Sequence, residues 1–218
     1  MRVAIVSAGS PEYKTLADVT QPTRARYAAK HGYDCYYFET TRERGDSCKA
    51  DCFFALYGKG YDVMCWMDLD SMVMNSEIKV EDICARWFGH DVDGEMISHF
   101  LWGWDHAGPN SGVYIVRFTP EGAHWMDRSY ATMRENGLAD ETAMEILATT
   151  HPFKDYVRTC PGTVLNSYDY RYYGWDKYPL EYQRKLNLYE PGRFILHMPG
   201  YPNDVRIPEL KRRLAEAT

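Results

Sequence analysis

Short apolar runs alternate with stretches of helical spacing through the first half of the chain. Residues 2–7 are one such run, with Val3-Ala4-Ile5-Val6 at its centre and Ala8-Gly9-Ser10-Pro11 closing it. A short apolar run stopped by Gly and Pro predicts a strand. A helix is predicted over 22–30, with Thr20 or Gln21 near its cap, Pro22 at its start and Gly32 ending it. A second strand is predicted at 34–40. Residues 48–57 space Cys52, Phe53 and Leu56 as one helical face. Gly58-Lys59-Gly60 then breaks the chain before the run Val63-Met64-Cys65-Trp66-Met67. A β-α-β-α-β start makes a parallel sheet with right-handed crossovers the economical architecture.

The second half is more mixed. A short helix is predicted at 80–88, strands at 95–102 and 112–118, and helices at 120–135 and 141–148. Thr119-Pro120-Glu121 reads as a cap followed by proline in the first turn, and Asn136-Gly137 as the stop. A late strand covers 194–198 and a charged helix 207–217. No linker, repeat or low-complexity stretch interrupts the 218 residues, so one α/β domain over 1–218 is expected.

Composition narrows the partners. The net charge is −6 without a basic run, which argues against nucleic acid and anionic membrane. No apolar run is long enough to cross a bilayer, and no signal-peptide pattern precedes the first strand. The six cysteines fall mostly within apolar patterns, with no Cys-x-x-Cys pair, so they read as reduced core residues of a cytoplasmic protein. Aromatic residues make up 15% of the chain, including 18 Tyr, many between 168 and 189. That enrichment fits sugar stacking and a Tyr-rich protein interface equally well.

Candidate chemistry begins where the Val63 run ends, at Asp68-Leu69-Asp70. Side chains alternate along a strand, so the two carboxylates point one way and Leu69 turns back. Hard divalent cations take such oxygen ligands and leave positions open for phosphate oxygens. Ligands on open α/β sheets gather at the carboxyl ends of strands, where both Ser7-Ala8-Gly9 and Asp68-Leu69-Asp70 fall. Further motifs follow in order: Lys49 upstream, Asn110-Ser111-Gly112, Asp140-Glu141-Thr142-Ala143, Asn166-Ser167-Tyr168 and His197-Met198-Pro199-Gly200, with Arg206 beyond.

This order of motifs, spanning nearly the whole chain, resembles the nucleotide-sugar-dependent glycosyltransferases of the GT-A fold. It looks most like the retaining α-galactosyl-, mannosyl- and xylosyltransferases, with kinship to glycogenin-like enzymes. The resemblance implies a GT-A, Rossmann-like mixed sheet, mainly parallel and flanked by helices. It implies that Asp68, Asp70 and His197 hold a metal on the diphosphate of a UDP-sugar, GDP being the second choice of nucleotide. Imidazole suits Mn²⁺ better than Mg²⁺. Ser7, Ala8, Gly9 and Tyr13 would face the nucleoside, with Leu69 beside it. Arg24 and Lys49 would reach the phosphates or the sugar. Asn110, Ser111 and Gly112 would line the sugar. Gly200 would admit the phosphates and Arg206 would neutralise them. Asp140 and Glu141 would carry the catalysis, although Gln often stands where this chain has Glu141.

Each residue also has a plainer reading. His197 fits a core histidine, Tyr13 a surface loop and Arg206 a solvated charge. Asp140 and Glu141 fit acidic residues at a helix N-terminus. If configuration is retained, the leaving phosphate takes the acceptor's proton and no protein base is required. If it is inverted, Asp140, Glu141, His99 and Asp169 are the candidate bases. Trp102, Trp104, Asp105, His106 and the cluster Tyr172, Tyr173 and Trp175 are candidate walls or a lid for a carbohydrate or glycoconjugate acceptor. Two rivals remain. A sugar nucleotidyltransferase would need a basic Gly-rich loop that Ser7-Ala8-Gly9-Ser10-Pro11-Glu12 lacks. A non-catalytic binding module would have no need to keep three metal ligands.

Overall fold

The structure is a computed structural model describing residues 1–40, 48–88, 100–105, 108–169 and 188–218, with the backbone alone at 100–109 where described. Nine strands are described: β1 (Val3–Gly9), β2 (Asp34–Glu39), β3 (Val63–Met67), β4 (Ser71–Val73), β5 (Phe100–Asp105), β6 (Gly108–Arg117), β7 (Val157–Pro161), β8 (Ser167–Tyr168) and β9 (Ile195–His197). The described helices are α1 (Lys14–His31), α2 (Cys48–Leu56), α3 (Val80–Trp87), α4 (Pro120–Asn136), α5 (Asp140–Ala148), α6 (Gly162–Leu165) and α7 (Asn203–Arg213).

The main sheet runs β2-β1-β3-β6-β5-β7. β1 is parallel to β2 and β3, and β5 is parallel to β7. Among the described strands of this sheet only β6 runs the other way, antiparallel to β3 and β5. The parallel start and the mainly parallel sheet therefore match the expectation from sequence. A second sheet, β4-β9-β8, lies beyond the end of β3.

Alternation along β3 divides the core. Met64 and Trp66 join Phe53, Tyr114, Trp125 and Met144 on one face, under α2, α4 and α5. Val63, Cys65 and Met67 join Ile5, Tyr27, Ile115 and Phe194 on the other, under α1 and α3. A strand buried on both faces reads as an unbroken apolar run, which is why 63–67 lacks polar alternation. A third cluster joins Leu16, Leu69, Met72, Leu196 and Leu210 where α1 and α7 cover the small sheet.

Two helices begin earlier than their sequence signals suggested. α1 starts at Lys14, so Pro22 lies inside it. Leu16, Thr20, Thr23 and Tyr27 form a buried stripe at helical spacing, while Pro22 stays exposed. Packing of that stripe outweighs the one hydrogen bond the proline forgoes. α7 likewise contains Pro208 and starts at Asn203, which places Arg206 in its first turns. The α4 signals hold: Thr119 Oγ1 accepts from Gly122 N at 3.1 Å, and Gly137 ends the helix with φ +62°. The hairpin β5–β6 starts β6 at Gly108, ahead of the expected 112, and residues 95–99 lie outside those described. The short strands β4, β7 and β8 carry no sequence signal of their own. Among the described residues no helix is long and apolar enough to cross a membrane.

α7 is tied down by charge. Arg213 reaches Asp169 Oδ2 at 3.1 Å, Glu209 Oε1 at 3.0 Å and Glu216 Oε2 at 2.6 Å. Hydrogen bonds from Arg212, opposed by burial and reinforced by Arg213, hold the Glu209 carboxyl down at about 2 against an ordinary 4.5. A depressed carboxylate contributes stability above its unfolded pKa and loses it on acidification. Glu209→Gln is therefore expected to be less stable than wild type at neutral pH. The difference should shrink as pH falls below about 4.5 and vanish near 2. Urea melts of both proteins across that range check it, and a pH-independent difference would refute the linkage.

Candidate active site

β1 and β3 are parallel neighbours, with Val6 level with Trp66. Their carboxyl ends therefore bring Ala8-Gly9 beside Asp68-Leu69-Asp70. The approach is close, because a Cβ at Gly9 would lie 2.3 Å from Leu69 Cδ1 and would have to push that side chain aside. A cleft of about 250 Å³ opens here, lined by Ala8, Gly9, Ser10, Tyr13, Leu16, Lys49, Trp66, Asp68, Leu69, Asp70, Asp140 and Arg206.

The Asp-x-Asp turn is held from below. Arg24 is wholly buried and donates through one NH2 to the Asp68 and Ser71 carbonyls. Thr20 Oγ1 donates to the Leu69 carbonyl at 2.9 Å, and Asp68 N donates to the Gly112 carbonyl at 2.7 Å. Burial pulls the Arg24 guanidinium down to about 10, which still leaves it cationic at neutral pH. Arg24 thus supports the turn and does not line the cleft, whereas the resemblance implies a role at the phosphates or the sugar.

β4 continues from the turn and pairs with β9, with Ser71 opposite His197. That pairing carries the late histidine to the early aspartates. Asp70 Oδ1 lies 3.2 Å from His197 Nε2, and Asp70 Oδ2 accepts from Arg206 at 2.6 Å. One ligand atom each from Asp68, Asp70 and His197 falls within 4.8 Å of the others. Burial works against the Asp70 anion, but His197 and Arg206 outweigh it and hold its carboxyl below the usual range. Asp68 goes the other way. Burial raises it, Lys49 pulls it back, and the neighbouring Asp70 and Asp140 charges leave it above the usual range.

Lys49, on α2, is 3% exposed. Its ammonium donates to Asp140 Oδ2 at 2.6 Å, the Ser111 carbonyl at 3.0 Å and Asp68 Oδ2 at 3.5 Å. An ammonium has three donors, and these three acceptors occupy them. Burial alone would lower Lys49, but Asp140 and Asp68 more than reverse it, so it remains a cation. Lys49 therefore secures Asp140 and is not free to bind phosphate in this arrangement. Asp140 opens α5. Burial disfavours its anion, and Lys49, Ser111 and the Glu141 backbone N–H overcome that to hold the carboxyl below its ordinary value.

The remaining expected residues divide. Asn110 Oδ1 accepts from Gly112 N at 2.9 Å and shapes the irregularity in β6 where its pairing with β5 shifts register. Ser111 is buried against Lys49 and Asp140. Tyr13 lines the cleft and is 41% exposed. Ser7 is fully buried, with an Oγ that finds no partner among the described residues, so it stands behind Ala8 and Gly9 rather than on the cleft wall. Glu141 is half-buried on α5 and does not line the cleft. Gly200 follows β9 in an exposed turn with φ +73°, a backbone state that favours glycine. Asp169 is buried against Arg213, away from the cleft. His99, His106, Tyr172, Tyr173, Trp175 and the side chains of Trp102, Trp104 and Asp105 lie outside what is described.

Two residues without an assigned role from sequence also belong to this region. Trp66 Nε1 donates to Asp68 Oδ1 at 2.6 Å. Period-two alternation from Asp68 points to Trp66, but its place in an apolar run made it look like plain core. Asn166 is fully buried and donates to the Val113 carbonyl at 3.0 Å, fixing the strand that carries Ser111 and Gly112.

The donor set fits a divalent cation. Three carboxylates converge on the cleft, and the Asp68 carboxyl is raised partly by its like-charged neighbours. His197 Nδ1 is buried with no hydrogen-bond partner among the described residues. Gly112 leaves the space that the imidazole occupies, since a Cβ there would lie 2.1 Å from His197 Cε1 and 2.6 Å from Nε2. Gly112→Ala is accordingly expected to displace His197 and weaken Mn²⁺ binding by at least about tenfold. Calorimetric titration with Mn²⁺, beside a metal-free thermal melt, checks this. Unchanged affinity would remove His197 from the ligand set.

No protein-family model and no curated protein matches the sequence. Solved structures do match in fold. A glycosyltransferase involved in the glycosylation of the major capsid of PBCV-1 has a TM-score of 0.71 at 14% identity, covering 97% of this chain and 100% of its own. The galactosyltransferase LgtC, solved with donor and acceptor sugar analogs, has a TM-score of 0.55 at 12% identity, with 98% and 94% covered. Glycosyltransferase GlyE of Streptococcus pneumoniae TIGR4 has a TM-score of 0.59 at 15% identity over 90% of this chain, which spans 55% of GlyE. Identities this low speak for architecture alone. With a parallel β2-β1-β3 core, a single reversed strand and these likenesses, the chain has the GT-A glycosyltransferase fold.

Proposed function

We propose that the chain, as one GT-A domain, is a metal-dependent glycosyltransferase. It moves a sugar from a nucleoside diphosphate sugar, read as a UDP-sugar, to a hydroxyl of a glycan or glycoconjugate with retention of configuration. The observation that carries this reading is the meeting of two groups in one cleft. Asp68, Asp70 and His197 form a ligand set for a hard cation, and Asp140, locked by Lys49, stands beside them. The structural neighbours that carry glycosyltransferase names support the same class of reaction.

Asp68, Asp70 and His197 would hold Mn²⁺, or Mg²⁺ less well given the imidazole. A cation there supplies Lewis-acid stabilisation of the charge that develops on the departing diphosphate. Arg206, fixed by Asp70 and Asn203, adds a guanidinium at the same edge of the cleft. Ala8, Gly9 and Tyr13 form the wall for the nucleoside. Asp140 keeps its negative charge and accepts from Lys49, Ser111 and a backbone N–H. That engagement suits it to stabilising positive charge on the sugar ring and unsuits it to taking a proton. The departing phosphate oxygen would then accept the proton of the incoming hydroxyl, which enters from the same face.

The test is turnover. The chain is incubated with Mn²⁺, a panel of UDP- and GDP-sugars and simple sugar acceptors. Nucleotide release is followed, and the anomeric configuration of the first product is read by NMR. Acceptor-stimulated UDP release with retention supports the proposal. Binding heat without release from any donor would point to a non-catalytic module, and pyrophosphate-dependent chemistry to a nucleotidyltransferase.

A further inference from the structure

We propose that Trp66 is a positioning residue that holds both halves of the site and sets the affinity for the divalent cation. It acts on Asp68 through its indole N–H and on Asp140 through Lys49. The inference rests on the metal reading above. Trp66 and Asp68 lie two residues apart at the end of β3, so both face the same side, and the indole Nε1 donates to Asp68 Oδ1 at 2.6 Å. Lys49 Nζ lies 5.6 Å from the centroid of the Trp66 ring, within cation–π range. The same ammonium meets Asp140 Oδ2 at 2.6 Å.

The indole itself has no freedom to drift. It is 1% exposed and stacks on Tyr114 with centroids 6.3 Å apart and planes 16° apart. Tyr114 is its register partner on β6, four residues from Asn110 and three from Ser111. One buried ring thus links β3, β6 and α2 at the point where their functional side chains emerge. An indole N–H donates and never accepts, so it engages one Asp68 oxygen and fixes which oxygen turns away from it. Donors behind a metal-binding carboxylate typically govern metal affinity by about 10–100-fold when removed.

The test separates the N–H from the ring. Trp66 is replaced by β-(3-benzothienyl)alanine, which keeps the bicyclic shape and puts sulfur where the N–H was. Trp66→Phe is made alongside. Mn²⁺ affinity is measured on metal-free protein by the electron paramagnetic resonance of free Mn²⁺, and each protein is melted without metal. The benzothienyl protein is expected to melt as wild type does and to bind Mn²⁺ about tenfold more weakly. Trp66→Phe should show at least the same loss of affinity, with a lower melting temperature from the smaller ring. Wild-type affinity in the benzothienyl protein would overturn the proposal, leaving Trp66 as packing alone. A wild-type chain that takes up no Mn²⁺ would overturn the metal reading as well, so the wild-type titration distinguishes the two failures.

Discussion

Asp70→Asn is expected to abolish Mn²⁺-dependent binding of UDP. Asp70 joins the proposed metal ligands to the proposed phosphate-binding arginine, since His197 and Arg206 both close on its carboxylate. The amide keeps the shape of the side chain but loses the charge that draws a hard cation. Removing a direct ligand should cost more than the roughly 10–100-fold that follows loss of a group behind one. The neutral amide also frees Arg206 from its anionic partner, so some metal-independent attraction for phosphate survives or even rises. Calorimetric titration of UDP and GDP with and without Mn²⁺ reads both effects. Binding of one nucleotide that needs Mn²⁺ in wild type and loses that dependence in Asp70→Asn supports the donor site. Binding indifferent to Mn²⁺ in both proteins would sink it.

Lys49→Met should cost both stability and turnover. Lys49 is the buried cation that compensates Asp140 and Asp68. Methionine keeps the unbranched apolar stem but leaves the carboxylates without that partner. Breaking a buried ion pair from one side costs about 3–5 kcal/mol. For a chain of 218 residues each kcal/mol lowers the melting temperature by roughly 2–4 °C. The double variant Lys49→Met/Asp140→Leu removes both members of the pair and should recover much of the loss without restoring turnover. Thermal melts of the single and double variants, with donor turnover alongside, check the prediction. Additive losses in the double variant would show that Lys49 and Asp140 are not coupled. A phosphate-binding Lys49 would instead show raised KM with little change in melting temperature.

Much of the site was legible because its signals are local. Asp68-Leu69-Asp70 ends an apolar run, and strand alternation alone turns its two carboxylates the same way. Thr119-Pro120 and Asn136-Gly137 bound α4 through caps that depend only on nearby backbone. α1 starts eight residues before its proline signal, because the buried stripe of Leu16, Thr20, Thr23 and Tyr27 gains its meaning only in the folded packing. Arg24 and Lys49 carry the same charge and were assigned the same role. The fold separates them, one beneath the turn on backbone carbonyls and one between two carboxylates. Ser7 and Trp66 changed places in the same way. The residue expected on the wall is buried behind it, and the one that reads as core donates to Asp68.

The sequence by itself determined the alternation of strands and helices, the mainly parallel start of the sheet and the paired carboxylates of Asp68 and Asp70, whereas His197 joined them only through the resemblance in motif order. These follow from period, punctuation and side-chain chemistry, which act over a few residues. Tertiary structure decided which charges face which. His197 reaches Asp70 because β9 pairs with β4 across more than half the chain, and Lys49 meets Asp140 because α2 and α5 share one face of the sheet. Hydrogen bonds and ion pairs depend on positions known to within an ångström, and only the closed packing of the sheet and its helices sets those distances.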